Sequence, residues 1–388
     1  MPKNIWDGTA GSPVSSFNVA TERRDLNVAD RILELQPSET PFLVIGDKTS
    51  TGSAGSLEET WYDDDLAPWW TEANGAEVDT GATTITVADG SIVKAKDLIK
   101  NTTTGEVMFV SAVSGNDLTV TRAYGEESGE AGTAATAIGD GDNFMRMGNA
   151  MEENSLSPDT RATQPNKFYN YVQIFRTPFS GSLEDANEPK KTTEDERTRL
   201  RRRKAIEHKL DLERAYVFGE RNEHISDKRR TMGGLFQFLI NQYDTIGGNL
   251  TQALLEEALE DAFKYGSKEK IFITSPRIGS VINKFASDSI ETRSGETYYG
   301  LRIGEYISFH GTLWVATSHM FERDYQGMGA ILDMENIDIM PYGGYSTTLR
   351  ENLQETDRLG WKDEYLTMST LRVRLNKTHR VVDGITFA

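Results

Sequence analysis

The spacing of apolar and polar positions divides the chain into segments of different kinds. Over residues 250–265 apolar positions recur at helical spacing, opening after Asn249 and closing at Gly266, which predicts an amphipathic helix. Lys270-Ile271-Phe272-Ile273-Thr274 reads as a buried strand. Ser275-Pro276 then caps and starts a helix running to residue 286, since the N–H that proline lacks is one a first helical turn leaves unpaired anyway. Strands follow at 301–309, 312–317, 328–332 and 337–340, and a long alternating stretch at 365–375 precedes a terminal strand at 381–387. Helices in the middle with antiparallel strands after them predict an α+β domain rather than a doubly wound one.

Upstream of that domain lies the strongest helix signal of the chain, over residues 193–221. Thr193 and Glu196 form a capping box, Glu194 and Asp195 suit the positive end of the helix, and nothing breaks the run before Gly219. Such a helix spans on the order of 40 Å. Its first half holds Arg197, Arg199, Arg201, Arg202, Arg203 and Lys204, while Ile206, Leu210 and Val217, flanked by Ala205 and Phe218, form a narrow apolar stripe. So much positive charge requires negative charge nearby, either solvent counter-ions or a partner, and the residues leave both open.

Residues 80–146 are different in character. Thr83-Thr84-Ile85-Thr86-Val87 alternates, residues 106–110 and 116–122 read as strands, and Ser114-Gly115-Asn116-Asp117 is the turn between the last two. This predicts a small β module of four or five short strands inserted into a longer loop. That loop, from Gly46 to Asp79, is polar and acidic and contains Trp61-Tyr62-Asp63-Asp64-Asp65 and then Trp69-Trp70. Clustered tryptophans favour burial and adjacent aspartates favour water or cations. A solvated loop with its aromatics tucked beneath is one reading, and an extended loop laid on a neighbouring subunit is the other. The first fifty residues read as an arm whose one helical candidate, residues 28–35, is ended by Pro37 and Pro41. Residues 168–175 alternate as a strand that continues towards Gly181.

Charge sharpens this division. The 388 residues carry 42 basic and 60 acidic side chains, a net of -18. Residues 1–150 hold 10 basic against 24 acidic residues, or -14, leaving -4 for the rest. Most of such a surface repels a phosphate backbone, which argues against a dedicated nucleic-acid binder, and the acidic half invites a basic partner surface. The absence of cysteine excludes disulfides, thiolate catalysis and cysteine metal sites, and fits a cytoplasmic setting. No apolar run approaches the roughly 20 residues of a membrane helix, and the start has no secretory pattern, so a soluble, unexported chain is expected.

The motifs of catalysis and ligand binding do not assemble. There is no Gly-Lys dipeptide for a phosphate loop, no G-x-S-x-G elbow, and Gly139/Gly141 and Gly327/Gly329 lack the third glycine of a dinucleotide fingerprint. His208, His224, His310, His319 and His379 include no close pair for zinc. Asp140-Gly141-Asp142-Asn143 lacks the twelfth-position glutamate of a calcium loop and reads as an acidic turn. Paired carboxylates such as Glu152-Glu153 and Glu256-Glu257 fit solvated faces. A non-enzyme without cofactor or metal is expected, with a carboxylate-based hydrolase as the minor alternative.

The order of these pieces, an arm, an acidic loop, a return strand Asn170-Tyr171-Val172-Gln173-Ile174-Phe175, a long basic helix and an α+β domain, resembles the major capsid proteins of tailed bacteriophages with the Hong Kong 97 fold, in particular the SU10-like branch. The similarity extends to Thr231-Met232-Gly233-Gly234-Leu235, Leu332-Asp333-Met334-Glu335-Asn336-Ile337 and Asp363-Glu364-Tyr365-Leu366-Thr367-Met368, and covers residues 10–387. It implies an N-terminal arm (1–45), an extended E-loop (46–178) enlarged by the insertion (80–146), a peripheral domain (179–235 and 328–378) with its spine helix, and an axial domain (236–327 and 379–388). It further implies hexamers and pentamers closing into an icosahedral shell around double-stranded DNA, in a virion assembled in the host cytoplasm, with portal, scaffold and decoration proteins as candidate partners. Some relatives cross-link subunits through an E-loop lysine; residues 49–93 contain none, so no such bond is expected. Since the family's loop lies over the neighbouring subunit, Glu58, Glu59, Asp63, Asp64 and Asp65 are expected to face Arg197, Arg201, Arg202, Arg203 and Lys204 of a neighbour. The alternative within the same biology is a decoration or tail component.

Overall fold

The computed structural model describes residues 40–49, 52–125, 135–156, 164–184, 195–289, 297–298 and 301–387. The helical candidate at 28–35 and the capping residue Thr193 lie outside these. The chain forms two compact units, residues 62–167 and the remainder.

The larger unit opens with a helix that the apolar pattern hid, α1 (Pro41–Thr49), which crosses the expected border between arm and loop at residue 45. Proline at its first position stops nothing upstream and starts this helix instead. Phe42 and Ile45 are buried in the first apolar core. After β1 (Glu58–Asp63) the chain enters the smaller unit, and it returns through β8 (Asn166–Tyr171), which pairs with β1.

The smaller unit is a β-barrel. Its strands β2 (Trp70–Glu72), β3 (Thr84–Thr86), β4 (Asp97–Asn101), β5 (Val107–Ser114), β6 (Asp117–Thr121) and β7 (Asn143–Asn149) run in the order β2-β7-β4-β5-β6-β3. The bridge between Ala73 and Val87, with Asn74 N–H on Thr86 O at 3.0 Å and Ala88 N–H on Glu72 O at 2.9 Å, joins the two ends. Closure removes the exposed strand edges that a small open sheet would offer to other chains. Inward positions such as Ile85, Ile99, Met108, Val110, Leu118 and Phe144 fill the interior. The module therefore starts ten residues earlier than its alternation suggests, because β2 and β7 each place only one large apolar residue, or none, inside.

The larger unit continues with β9 (Gln173–Ser182), separated from β8 at Val172, whose N–H donates to Leu57 O at 3.0 Å. Helix α2 (Glu196–Phe218) follows, 23 residues or about 35 Å long. Its N-cap is Asp195, which accepts from Thr198 N–H, and it ends at Gly219 as expected. A hairpin of β10 (Asn222–His224) and β11 (Arg229–Thr231), a short helix α3 (Leu235–Phe238) and β12 (Tyr243–Thr245) lead into α4 (Gln252–Phe263), β13 (Glu269–Thr274) and α5 (Pro276–Ser289). The cap of α4 is Thr251, not Asn249. Strands β14 (Thr297–Tyr298), β15 (Leu301–Ile307), β16 (Thr312–Thr317), β17 (Gly329–Leu332), β18 (Ile337–Pro341), β19 (Thr348–Arg350), β20 (Gly360–Val373) and β21 (Arg380–Asp383) complete the chain.

Two sheets result. The seven-stranded one, β12-β21-β17-β13-β16-β15-β14, is mixed, with β13 parallel to β16 and β12 parallel to β21, and α4 and α5 contribute to the apolar cluster beside it. The other is built on the long β20, which pairs antiparallel with β9 along one edge and with β18 and β19 along the other. Helix α2 lies on this second sheet. Its buried face is His208, Leu212, Glu213, Tyr216 and Val217, whereas the expected Ile206 and Leu210 are half-buried. His208 and Tyr216 are tolerated there because they are bonded: His208 bridges Thr177 and Thr367 hydroxyls, each at 2.8 Å, and Tyr216 meets Ser369 at 2.6 Å.

Candidate functional site

Adjacent residues of a strand point to opposite faces, and β20 uses this at Asp363 and Glu364. Asp363, fully buried, accepts from Arg197 at both oxygens (2.9 and 2.7 Å), from Arg201 Nε and Nη2 (3.2 and 2.9 Å), and from the Asn352 N–H at 3.0 Å. Burial alone would raise its pKa; the hydrogen bonds from Arg197, Asn352 and Arg201 reverse this and hold it below the usual carboxylate range. Arg201 also reaches Glu351 at 2.9 Å, Tyr365 OH donates to the Arg201 carbonyl at 3.2 Å, and the Arg197 guanidinium lies 5.1 Å over the Trp361 ring. Glu364 accepts from Arg176 (3.0 and 2.6 Å) and Arg350 (2.9 Å). Two buried carboxylates thus bind four arginines, and Asp363 locks the basic half of α2 to the sheet.

The rest of the basic run is similarly answered. Arg199 pairs with Glu196, and Arg203 (3.1 Å) and Lys204 (2.5 Å) both pair with Glu207; Arg202 is exposed. Negative charge of the same chain therefore answers Arg197, Arg199, Arg201, Arg203 and Lys204.

The acidic residues are distributed differently. Glu58 is exposed; Glu59 is half-buried, 3.7 Å from Arg372, and accepts from Gly55 N–H at 3.3 Å. Asp63 is half-buried, and Asp64 and Asp65 are exposed. Of the three nearby tryptophans only Trp61 is tucked in, 6.2 Å from Phe168 and 5.6 Å from Phe238. Trp69 and Trp70 pack on each other at 5.3 Å and stay 55% and 40% exposed, and Leu66 is 98% exposed. This stretch therefore sets exposed aromatic and aliphatic side chains beside exposed carboxylates.

Three further buried groups are titratable. Glu213 on α2 faces the backbone N–H groups of Phe42 and Leu43 at the start of α1 and the Ser318 hydroxyl, and burial pushes its pKa up to about 8. Burial lowers His379 to about 4; its Nδ1 accepts from Asp333 N–H at 3.1 Å. Lys270 is lowered by burial to about 8, and its Nζ donates to the carbonyls of Ala262 (2.7 Å), Tyr265 (2.8 Å) and Thr378, closing the C-terminal end of α4. All three hold elements together. Among the described residues no three His, Asp or Glu side chains are grouped to hold a metal, and no helix is long and apolar enough to cross a membrane.

Comparison with known proteins fits this architecture. The family model described as SU10 major capsid protein matches residues 10–386. The chain belongs to the SU10 major capsid protein family. A curated major capsid protein of Pseudomonas phage PaMx41 is 24% identical over 326 residues, covering 79% of this chain and 76% of its own. A solved structure from Mycobacterium phage Bobi, 9% identical, superposes with a TM-score of 0.50 over 97% of this chain and 100% of its own. The capsid of a native GTA particle, 10% identical, gives 0.46 over 97% and 100%. The fold is the Hong Kong 97 capsid fold, and the chain is a phage major capsid protein. In this capsid protein the three short motifs of the resemblance have structural tasks. Asp363 and Glu364 clamp arginines, Asp333 caps the turn after β17 by accepting from Glu335 N–H, and Gly233-Gly234 closes the base of the β10–β11 hairpin. Sequence reasoning did not single out Asp363 as the partner of α2, nor Glu364 as the partner of Arg176 and Arg350. The available signal was a pair of acids inside a strand whose other positions alternate towards burial.

Proposed function

We propose that this capsid protein assembles, as hexamers and pentamers, into an icosahedral shell enclosing double-stranded DNA in the virion, with a structural and non-enzymatic role. The family match across residues 10–386 carries this reading. A net charge of -18 supports it, since a lining that held DNA tightly would impede packing and release. Residues 46–178 serve as the E-loop, the sheet on β20 with α2 as the peripheral domain, and the seven-stranded sheet as the axial domain. The closed barrel is an outward insertion that folds on its own core. Assembly takes place in the host cytoplasm.

The acidic and aromatic strip around Asp63, Asp64 and Asp65 lies against a neighbouring copy. The spine-helix cations are a poor counterpart for it: Arg197 and Arg201 are committed to a buried aspartate, and a second carboxylate would have to compete for them. Electron microscopy and sedimentation of the purified protein test the assembly reading. Shells or capsomer rings appear as concentration rises; a species that stays monomeric throughout contradicts it. Changing Asp63, Asp64 and Asp65 together to Lys impairs assembly while leaving the helical fold intact.

A further inference from the structure

Ten consecutive residues, 222–231, are exposed, and they form the hairpin β10–β11. An isolated two-stranded ribbon is marginally stable in water, yet this one stands on a rigid base. Gly234 N–H donates to Gly219 O at 2.7 Å, drawing the two stems together. The approach is close enough that a Cβ on Gly219 would sit 2.4 Å from Ala215 O, and one on Gly234 would sit 2.5 Å from Gly219 N. Asn170 holds the same neck from the side, accepting from Gly233 N–H at 2.7 Å and donating to Gly233 O at 3.0 Å. Arg221 lies 3.8 Å over the Tyr169 ring. The chain therefore holds out, in fixed orientation, an element that buries nothing of its own.

The tip of this element carries two groups that a solvated turn does not need. Ile225 is 82% exposed, and Lys228, exposed at φ +52°, makes no ion pair among the described residues. The neighbouring cations are paired within the hairpin, Arg229 with Asp227 and Arg230 with Glu223. One apolar side chain beside one free cation is the complement of the strip described above, where Leu66 and Trp69 stand beside Asp64 and Asp65.

We propose that the β10–β11 hairpin is a docking arm that receives the acidic, aromatic loop of a second copy of this chain, Ile225 packing on Leu66 and Trp69 and Lys228 facing Asp64 and Asp65. Pre-set geometry lowers the entropy lost on docking, and the charge pattern disfavours wrong registers. The inference rests on the shell reading and names one of its contacts.

The natural absence of cysteine makes a direct test available. Two single-cysteine proteins, I225C and L66C, are mixed, assembled and mildly oxidised. The expected product is the I225C–L66C heterodimer in assembled particles and not in unassembled protein. A second variant replaces residues 224–229 with Asn-Gly, keeping the Glu223 and Arg230 pair. Because the hairpin buries nothing, thermal unfolding stays unchanged while the concentration needed for assembly rises on the order of tenfold or more. Normal particles from the shortened variant, absence of the heterodimer in normal particles, or I225C homodimers in its place each overturn the proposal while leaving the shell reading intact. Failure of the unaltered protein to form particles removes the shell reading itself.

Discussion

Replacing Asp363 with Asn tests whether the spine helix is held by a carboxylate of its own chain. The substitution keeps the shape and leaves an oxygen for the Asn352 N–H, but removes the charge that two guanidinium groups share. Stranding a partner of a buried ion pair costs about 3–5 kcal/mol. Two features lower the figure here: the side chains of Arg197 and Arg201 are 29% and 28% exposed, and Arg201 keeps Glu351 at 2.9 Å. Arg197 keeps its hydrogen bond to Asn352 at 3.1 Å and the Trp361 ring. The expected loss is thus at the lower end, about 3 kcal/mol, or roughly 6–12 °C in melting temperature for a unit of this size. Urea unfolding of unassembled protein, followed by helical ellipticity, isolates the larger unit, because the described barrel contains no α-helix. Asp363 is held below its ordinary pKa, so its contribution is present above the unfolded carboxylate range and fades as pH falls through the lowered folded value; the deficit of the Asn variant shrinks on that acid limb. Combining it with Arg197→Met should cost much less than the sum of the two. A deficit under about 1 kcal/mol, or strictly additive damage, refutes the clamp.

Other outcomes follow from the buried groups. Glu213 is raised from 4.5 to about 8, so its stabilisation is complete below pH 4.5 and is lost as pH rises towards 8; Glu213→Gln removes that slope and gains about 4–5 kcal/mol at pH 8 in urea titrations. His379 is lowered from 6.5 to about 4, so stability falls as pH drops from 6.5 to 4 by about 3 kcal/mol, and His379→Gln flattens that limb; if the acid limb is unchanged, the burial argument for this residue is wrong. Replacing the barrel, Trp70 to Asn149, with a Gly-Ser linker should leave the helical unfolding transition within a few degrees of its original midpoint, since the barrel has its own core; loss of that transition would show that the larger unit needs it.

What the sequence disclosed and what it hid divide along physical lines. Periodic segments with clear punctuation were legible: the end of α2 at Gly219, the strand–helix junction at Ser275-Pro276, and the turn at Gly115, which adopts φ +62° between β5 and β6. Short elements stabilised by distant partners were not. Strands β2 and β19 are three residues each, too short for alternation to register. Helix α1 starts at a proline that, read locally, looked like a stop. The buried face of α2 was misplaced because His208 and Tyr216 read as solvent-facing until Thr177, Thr367 and Ser369, remote in the chain, supply their partners. The basic run was correctly found and its counterpart was sought outside the chain, since Asp363, more than 160 residues away, is tied to two arginines only by the fold. Around Asp64 composition sets tryptophan beside aspartate, and the fold buries Trp61 while leaving Asp64, Asp65, Trp69 and Trp70 exposed.

Closure of copies of this chain into a shell is what the proposed function requires. Cryo-electron microscopy of the purified protein across a concentration series measures it most directly. The expected result is closed icosahedral particles built from rings of five and six subunits, with the β-barrel as a separate density on each subunit. A population that remains single chains at every concentration, or that forms open fibres without five-fold vertices, contradicts it.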